Sequence, residues 1–197
     1  MPCIQHAGKH GIATFERNLV KTARTALCLA TLRKENQMAT ALPASFKPAF
    51  NRIQQSGDFD CAFACIAMLT SKPLAEIKQL AIDKFRHPKH GPYWISETLI
   101  SSLLAAHKLV ATVYKEYADP IPTLPEVAIL MVDYEPVTEV GRHVIFHRGI
   151  LTDGKGVQSK LEYVIDPAYW ADASNHVRSD WKALKPAWYI GVTQMKT

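Results

Sequence analysis

Residues 55–68, Gln-Ser-Gly-Asp-Phe-Asp-Cys-Ala-Phe-Ala-Cys-Ile-Ala-Met, set a short polar loop directly in front of an apolar run. Asp58 and Asp60 are good helix N-cap residues, and Cys61 to Leu69 is apolar throughout, the pattern of a helix buried on most sides. Cys61 then falls in the first helical turn. There the positive end of the macrodipole and unpaired backbone amides favour a thiolate, with Asp60 partly opposing them.

The segments that follow keep a helical period. Pro73 fits the start of a second helix, with Leu74, Ile77, Leu80 and Ala81 as its apolar stripe. Ser96 to His107 reads as a third, presenting Leu99, Ile100, Leu103 and Leu104. Beyond it the period changes. Val110–Tyr114, Val127–Tyr134, His143–Ile150, Leu161–Ile165 and Trp188–Met195 are short runs rich in Val, Ile and Tyr, separated by Pro and Gly clusters. Asp153-Gly154-Lys155-Gly156 is a hairpin turn signal between the third and fourth runs. Helices first and an antiparallel meander second predict an α+β fold.

The chain has 197 residues, 48% hydrophobic and 21% charged, which excludes disordered and fibrous classes and suits one domain with an appendage. Its net charge of +5 is concentrated at one end. Six of the 23 basic and two of the 18 acidic residues lie in residues 1–37, leaving 17 and 16 in the rest. Bulk positive charge therefore does not recruit a partner to the body of the protein, and nucleic acid is not an expected ligand. Residues 1–44 read as a basic N-terminal extension, either flexible or helical from about Phe15 to Arg33, and 45–197 as the compact domain. Whether Met1 or Met38 is the start of translation stays open.

No run of about 18 uncharged apolar residues is present, so no spanning helix is expected. Thr25–Leu32 is too short and too charged at its flanks for a secretory signal. Cys3, Cys28, Cys61 and Cys65 are too few and too irregular for a disulfide scaffold, so reduced thiols and a cytoplasmic setting are expected, with export as an effector left open.

A thiolate nucleophile needs an imidazole to shuttle protons, a group to hold that imidazole and donors for an oxyanion. His143 opens the apolar run His143-Val144-Ile145-Phe146, and the next strand ends in Ile165-Asp166-Pro167. Adjacent antiparallel strands can set such a His and Asp side by side. Gln55, six residues before Cys61, can supply an amide donor.

The stretch Gln55 to Met68 resembles the motif of the bacteriocin-processing peptidase family, papain-like cysteine peptidases that cleave after double-glycine leader peptides. The match lies at Gln55, Asp60, Cys61, Cys65 and Met68, with His143-Val144-Ile145 and Asp166-Pro167 as the later elements. The resemblance spans roughly residues 50 to 195. It implies a papain-like α+β fold, N-terminal helices carrying the cysteine against an antiparallel sheet carrying the His and Asp. It further implies a stand-alone bacterial thiol protease with Cys61 as nucleophile, His143 as general base, Asp166 as its orienter and Gln55 in the oxyanion hole. Ala62 stands where the family usually has Gly, and 23 residues separate His143 from Asp166.

A peptide or protein is the expected substrate, and neither metal nor organic cofactor is expected. Maturation protease and effector or toxin are both compatible roles, with an exporter or a neutralising protein as the corresponding partner. Deamidation or transamidation on the same triad, and a non-catalytic papain-like peptide-binding module, are the alternatives. Retention of Cys61, His143, Asp166 and Gln55 together argues against the last.

Other residues carry plainer readings. Cys65 lies one turn after Cys61 and suits buried packing better than a metal site with His87 and His90. His147 lies about 13 Å along the strand from His143, too far to share an ion with it. Tyr93, Trp94, Tyr169, Trp170 and Trp181 suit either a substrate cleft or packing.

Overall fold

The apolar run after Asp60 forms helix α1 (Cys61–Thr70), of which Cys61 through Met68 are all buried. The structure is a computed structural model and describes residues 42, 46–90, 95–118, 123–152 and 156–196. Ala41–Thr197 form one compact unit. The expected helix over residues 15–33, Tyr93, Trp94 and most of the 153–156 turn lie outside the described residues.

Asp60 occupies the N-cap position of α1 but makes no side-chain cap hydrogen bond. A lost cap costs about 1 kcal/mol. Burying Phe63, Ile66 and Met68 completely, each worth about 2 kcal/mol, outweighs it. Helix α2 (Leu74–Phe85) starts after Pro73 and buries Ile77 and Ala81. Helix α3 (Glu97–Ala106) is capped by Ser96, whose side chain accepts from the Leu99 amide at 3.2 Å, and buries Leu99, Ile100, Leu103 and Leu104.

The strands are β1 (Leu109–Ala111), β2 (Lys115–Glu116), β3 (Val127–Glu135), β4 (Val140–Thr152), β5 (Gln158–Ile165), β6 (Val177–Arg178) and β7 (Trp188–Gln194). Their order, β1-β7-β3-β4-β5-β6 with β2 also on β7, makes one antiparallel sheet. It departs from the expected meander at one place. The last strand inserts between β1 and β3, pairing Ala128 with Gly191 and Ala111 with Val192.

Alternation along the strands divides the core in two. Ile129, Ile145, Ile165 and Ile190 face the helices and pack with Phe63, Ile66 and Leu103. Leu130, Val144, Phe146 and Val164 face the other way and are covered by Trp181 and Leu184. Trp181 meets Phe146 edge-on at 5.1 Å, a packing residue rather than a cleft residue.

Helix α1 packs on β4. Helices carrying the cysteine therefore lie on an antiparallel sheet carrying the histidine and the aspartate, an α+β layout as expected. A bulge between Val132 and Glu135 interrupts the β3–β4 register just beside His143, and Asp133 in it takes φ 51°. Gly141 lies opposite this bulge, and a Cβ there would lie 2.9 Å from Met131 Cγ, so the Met131 side chain would have to shift. Among the described residues no helix is long and apolar enough to cross a membrane.

Candidate active site

The loop that enters α1 is folded around one buried carboxylate. Asp60 accepts from the Ser56 amide at 3.1 Å, Ser56 Oγ at 2.5 Å, the Gly57 amide at 3.1 Å and Lys78 Nζ at 3.1 Å. Burial alone would raise its pKa, but these donors and the Lys78 charge bring it below the ordinary value. The same loop is stitched to the segment after β5. The Gln55 backbone N–H donates to the Pro167 carbonyl at 2.9 Å, while Arg52 donates to the carbonyls of Asp166 at 2.6 Å and Ala168 at 2.7 Å. Gln55, six residues before Cys61, thus takes its position from the Asp166-Pro167 element.

Cys61 and His143, 82 residues apart in sequence, meet at the start of α1. Cys61 Sγ lies 3.4 Å from His143 Nδ1 and accepts from the His143 amide at 3.3 Å. Both residues are only 6% exposed. Burial pushes the Cys61 thiol above its ordinary pKa, against the amides of His143 and Ala62 and the charge of Arg142, with Asp60 adding to the rise. The helix N-terminus was expected to favour thiolate. Its pull is present in the Ala62 amide, yet desolvation of the sulfur outweighs it. Burial likewise lowers His143 to about 4. Burial thus disfavours the charged form of each side chain, thiolate and imidazolium alike.

Asp166 does not touch the imidazole. Its Oδ2 is bound by Arg142 Nη1, and its Oδ1 accepts from the Ala168 amide at 2.9 Å. The paired register ends with Ile145 opposite Ile165, and Asp166 lies just past the end of β5, where Arg142 takes its carboxylate. Arg142 is itself fixed by a second carboxylate, donating through Nε to Asp133 Oδ2 at 2.7 Å. Burial would lower its pKa, but Asp166 and Asp133 raise it.

The atom that meets the far side of the imidazole is Tyr114 Oη, 2.7 Å from His143 Nε2. Tyr114 follows β1, and its own amide donates to Glu97 Oε2 at 3.1 Å. Burial, with Cys61, Cys65 and Glu97 nearby, raises its pKa well above the usual phenol value. Sequence spacing did not single out Tyr114 or Arg142. Arg142 carried one signal, its place immediately before the histidine.

Gln55 is 2% exposed and its Nε2 donates to the Gly57 carbonyl at 2.7 Å, while Oε1 is buried with no partner. Cys65 is fully buried, and that burial raises its thiol well above the ordinary value. Met68 belongs to the same core. His147 pairs with Tyr163 Oη at 2.9 Å and stacks edge-on with Phe50. Among the described residues no three His, Cys, Asp or Glu side chains converge as for a metal ion. Tyr169 and Trp170 are about half exposed, at 48% and 53%, and stack edge to face at 4.8 Å. Tyr169 Oη donates to Asp58 Oδ1 at 2.7 Å, tying this exposed pair to the loop before Cys61.

No protein-family model and no curated protein matches the chain. Solved structures similar to it include two peptidase domains of transporters. One is a double-glycine motif protease from an AMS/PCAT transporter in complex with the leader peptide, at 14% identity and a TM-score of 0.47, covering 77% of this chain and 96% of that one. The other is the peptidase domain of Streptococcus ComA, a bi-functional ABC transporter involved in a quorum-sensing pathway, at 13% identity and a TM-score of 0.44, covering 73% of this chain and 97% of that one.

Proposed function

We propose that this chain is a cysteine peptidase that cleaves a peptide amide bond through a thioester on Cys61. The observation that carries the proposal is the 3.4 Å approach of Cys61 Sγ to His143 Nδ1 at the N-terminus of a buried helix. Structural cysteines do not need an imidazole aimed at the sulfur. A thiol that must lose its proton on attack does.

In this mechanism His143 Nδ1 takes the thiol proton as sulfur attacks the scissile carbonyl carbon. Because burial favours the neutral pair, proton transfer accompanies attack instead of preceding it. The oxyanion that forms is held by the backbone N–H of Cys61 and by Gln55, whose amide has a second N–H beyond the one given to Gly57. His143 then protonates the leaving amine, the C–N bond breaks and the acyl group remains on sulfur. Water, deprotonated by His143, attacks the thioester and restores the thiol.

Asp166 enters this reading as the partner of Arg142 and of the Ala168 amide, holding the loop to which Gln55 is stitched. A peptide is the substrate class that the motif at Gln55–Met68 and the later His and Asp-Pro elements support. Maturation of a leader-bearing peptide is the use they support best. Deamidation and transamidation run through the same thioester and differ only in leaving group and acceptor.

A second reading, a peptide-binding module without turnover, is favoured by the buried sulfur and by the carboxylate spent on Arg142. One experiment separates the two. Wild-type protein and the Cys61→Ala variant are incubated with a diverse peptide mixture, and new termini are identified by mass spectrometry. Cleavage by the wild type alone supports the peptidase. Binding of peptides by both proteins with no new termini from either supports the module and ends the enzymatic reading.

A further inference from the structure

We infer that Tyr114, and not Asp166, is the residue that positions His143 and selects its tautomer. The inference rests on Cys61 and His143 being the reactive pair, and goes beyond that reading by reassigning the imidazole's holder. An imidazole with Nδ1 facing a thiol must keep Nδ1 unprotonated to accept the proton, so its hydrogen must sit on Nε2. That N–H needs an acceptor in a buried site. The acceptor present is Tyr114 Oη at 2.7 Å.

The alternative acceptor is committed elsewhere twice over. Both Asp166 oxygens are engaged, one by Arg142 and one by the Ala168 amide. Arg142 cannot readily swing away, because Asp133 in the β3 bulge holds its Nε. Asp133 reaches it from a left-handed backbone conformation, φ 51°, which an aspartate adopts only at some cost and which local structure must therefore enforce. Tyr114, by contrast, is held on both sides. Residues 109–111 pair with β7 before it, residues 115–116 pair with β7 after it, and Glu97 anchors its amide.

The substitution of a hydroxyl for a carboxylate changes the chemistry as well as the partner. A neutral oxygen orients the ring and fixes the tautomer, but adds no negative charge to stabilise an imidazolium. The pair is consequently kept as thiol and imidazole until a substrate is in place. A phenol is suited to this because its own ionisation lies far from working pH.

The test reads the imidazole directly. Nitrogen-15 NMR of full-length protein labelled at histidine, assigned through a His143→Gln variant, reports which ring nitrogen of His143 carries the proton. Iodoacetamide alkylation of Cys61 at one fixed pH supplies the reactivity. Wild type should show the Nε2–H tautomer. Tyr114→Phe, which keeps the ring and removes only the hydroxyl, should lose that preference and slow alkylation about tenfold, the equivalent of one neutral hydrogen bond.

Asp166→Asn should leave the tautomer signature in place. A Tyr114→Phe protein with an unchanged His143 signature, or an Asp166→Asn protein in which the signature is lost, overturns the assignment. If His143→Gln leaves Cys61 alkylation unchanged, the peptidase reading fails instead. The tautomer signature still judges Tyr114 in that case.

Discussion

Arg142 binds the carboxylate of Asp166 one residue before the histidine that this carboxylate was expected to hold. Asp166 is 3% exposed, and Arg142 is the cation that hydrogen-bonds its carboxylate, with Arg52 and Arg178 nearby. A buried ion pair contributes little net stability over an apolar pair, but half of one is costly. Arg142→Met should therefore destabilise the protein by about 2 kcal/mol, less than the 3–5 kcal/mol of a fully enclosed pair because Arg142 keeps 20% of its side chain exposed. The double variant Arg142→Met/Asp166→Leu should recover part of that loss. Urea unfolding of the two single variants and the double closes the cycle, and strictly additive losses would show that the pair is not coupled.

The two cysteines of α1 are expected to separate in reactivity despite similar surroundings. Cys61 retains 6% exposure and the amides of His143 and Ala62 partly offset its burial, whereas Cys65 has none and its thiol is pushed well above the ordinary value. Iodoacetamide should modify Cys61 first. Its rate should climb continuously as pH rises past neutrality, because a raised thiol pKa keeps the thiolate fraction small and still increasing there. A rate already at plateau near pH 6 would mean that an ion pair pre-exists and that burial does not govern this sulfur.

How far the sequence reached follows from which forces are local. Helices at 61–70, 74–85 and 97–106 and strands at 127–135, 140–152, 158–165 and 188–194 all lie within a few residues of their expected bounds, because apolar periodicity is written residue by residue. The insertion of β7 beside β3 was not legible. Nothing in Trp188–Gln194 states its neighbour, which depends on a contact some 60 residues away. The Cys61–His143 approach joins the first residue of α1 to a buried position four residues into β4, which begins three residues before the expected His143. The Asp166 contact was not legible, since Asp166 lies past the last paired residue of β5, where strand pairing no longer fixes its partner. Tyr114 escaped notice for the same reason, its role coming from where β1 and β2 flank it on β7.

Gln55 tests the oxyanion assignment. Its side-chain amide donates to Gly57 within the loop, and that NH2 carries a second N–H, the one assigned to the oxyanion in the proposed mechanism. Gln55→Glu keeps the shape and replaces those donors with an acceptor-only group. Peptide cleavage should fall by about 10²-fold in kcat with little change in KM, since the lost interaction exists only once the oxyanion has formed. A rise in KM at constant kcat would assign Gln55 to substrate binding instead.

His143 should make the fold acid-sensitive. Its pKa is lowered by burial to about 4 in the folded protein, against about 6.5 in the unfolded chain. The unfolded state therefore binds the proton first as pH falls. Stability from the neutral imidazole is complete above pH 6.5 and is lost progressively down to about pH 4, on the order of 3 kcal/mol across that window. Asp60, whose pKa is depressed despite its burial, adds loss in the same direction below the ordinary carboxylate range. The two separate by variant. His143→Gln should remove most of the decline between pH 6.5 and 4.5 and leave the decline below it, as read from urea midpoints at each pH. An unchanged pH slope in that variant would show that the imidazole is solvated, and with it the thiol beside it.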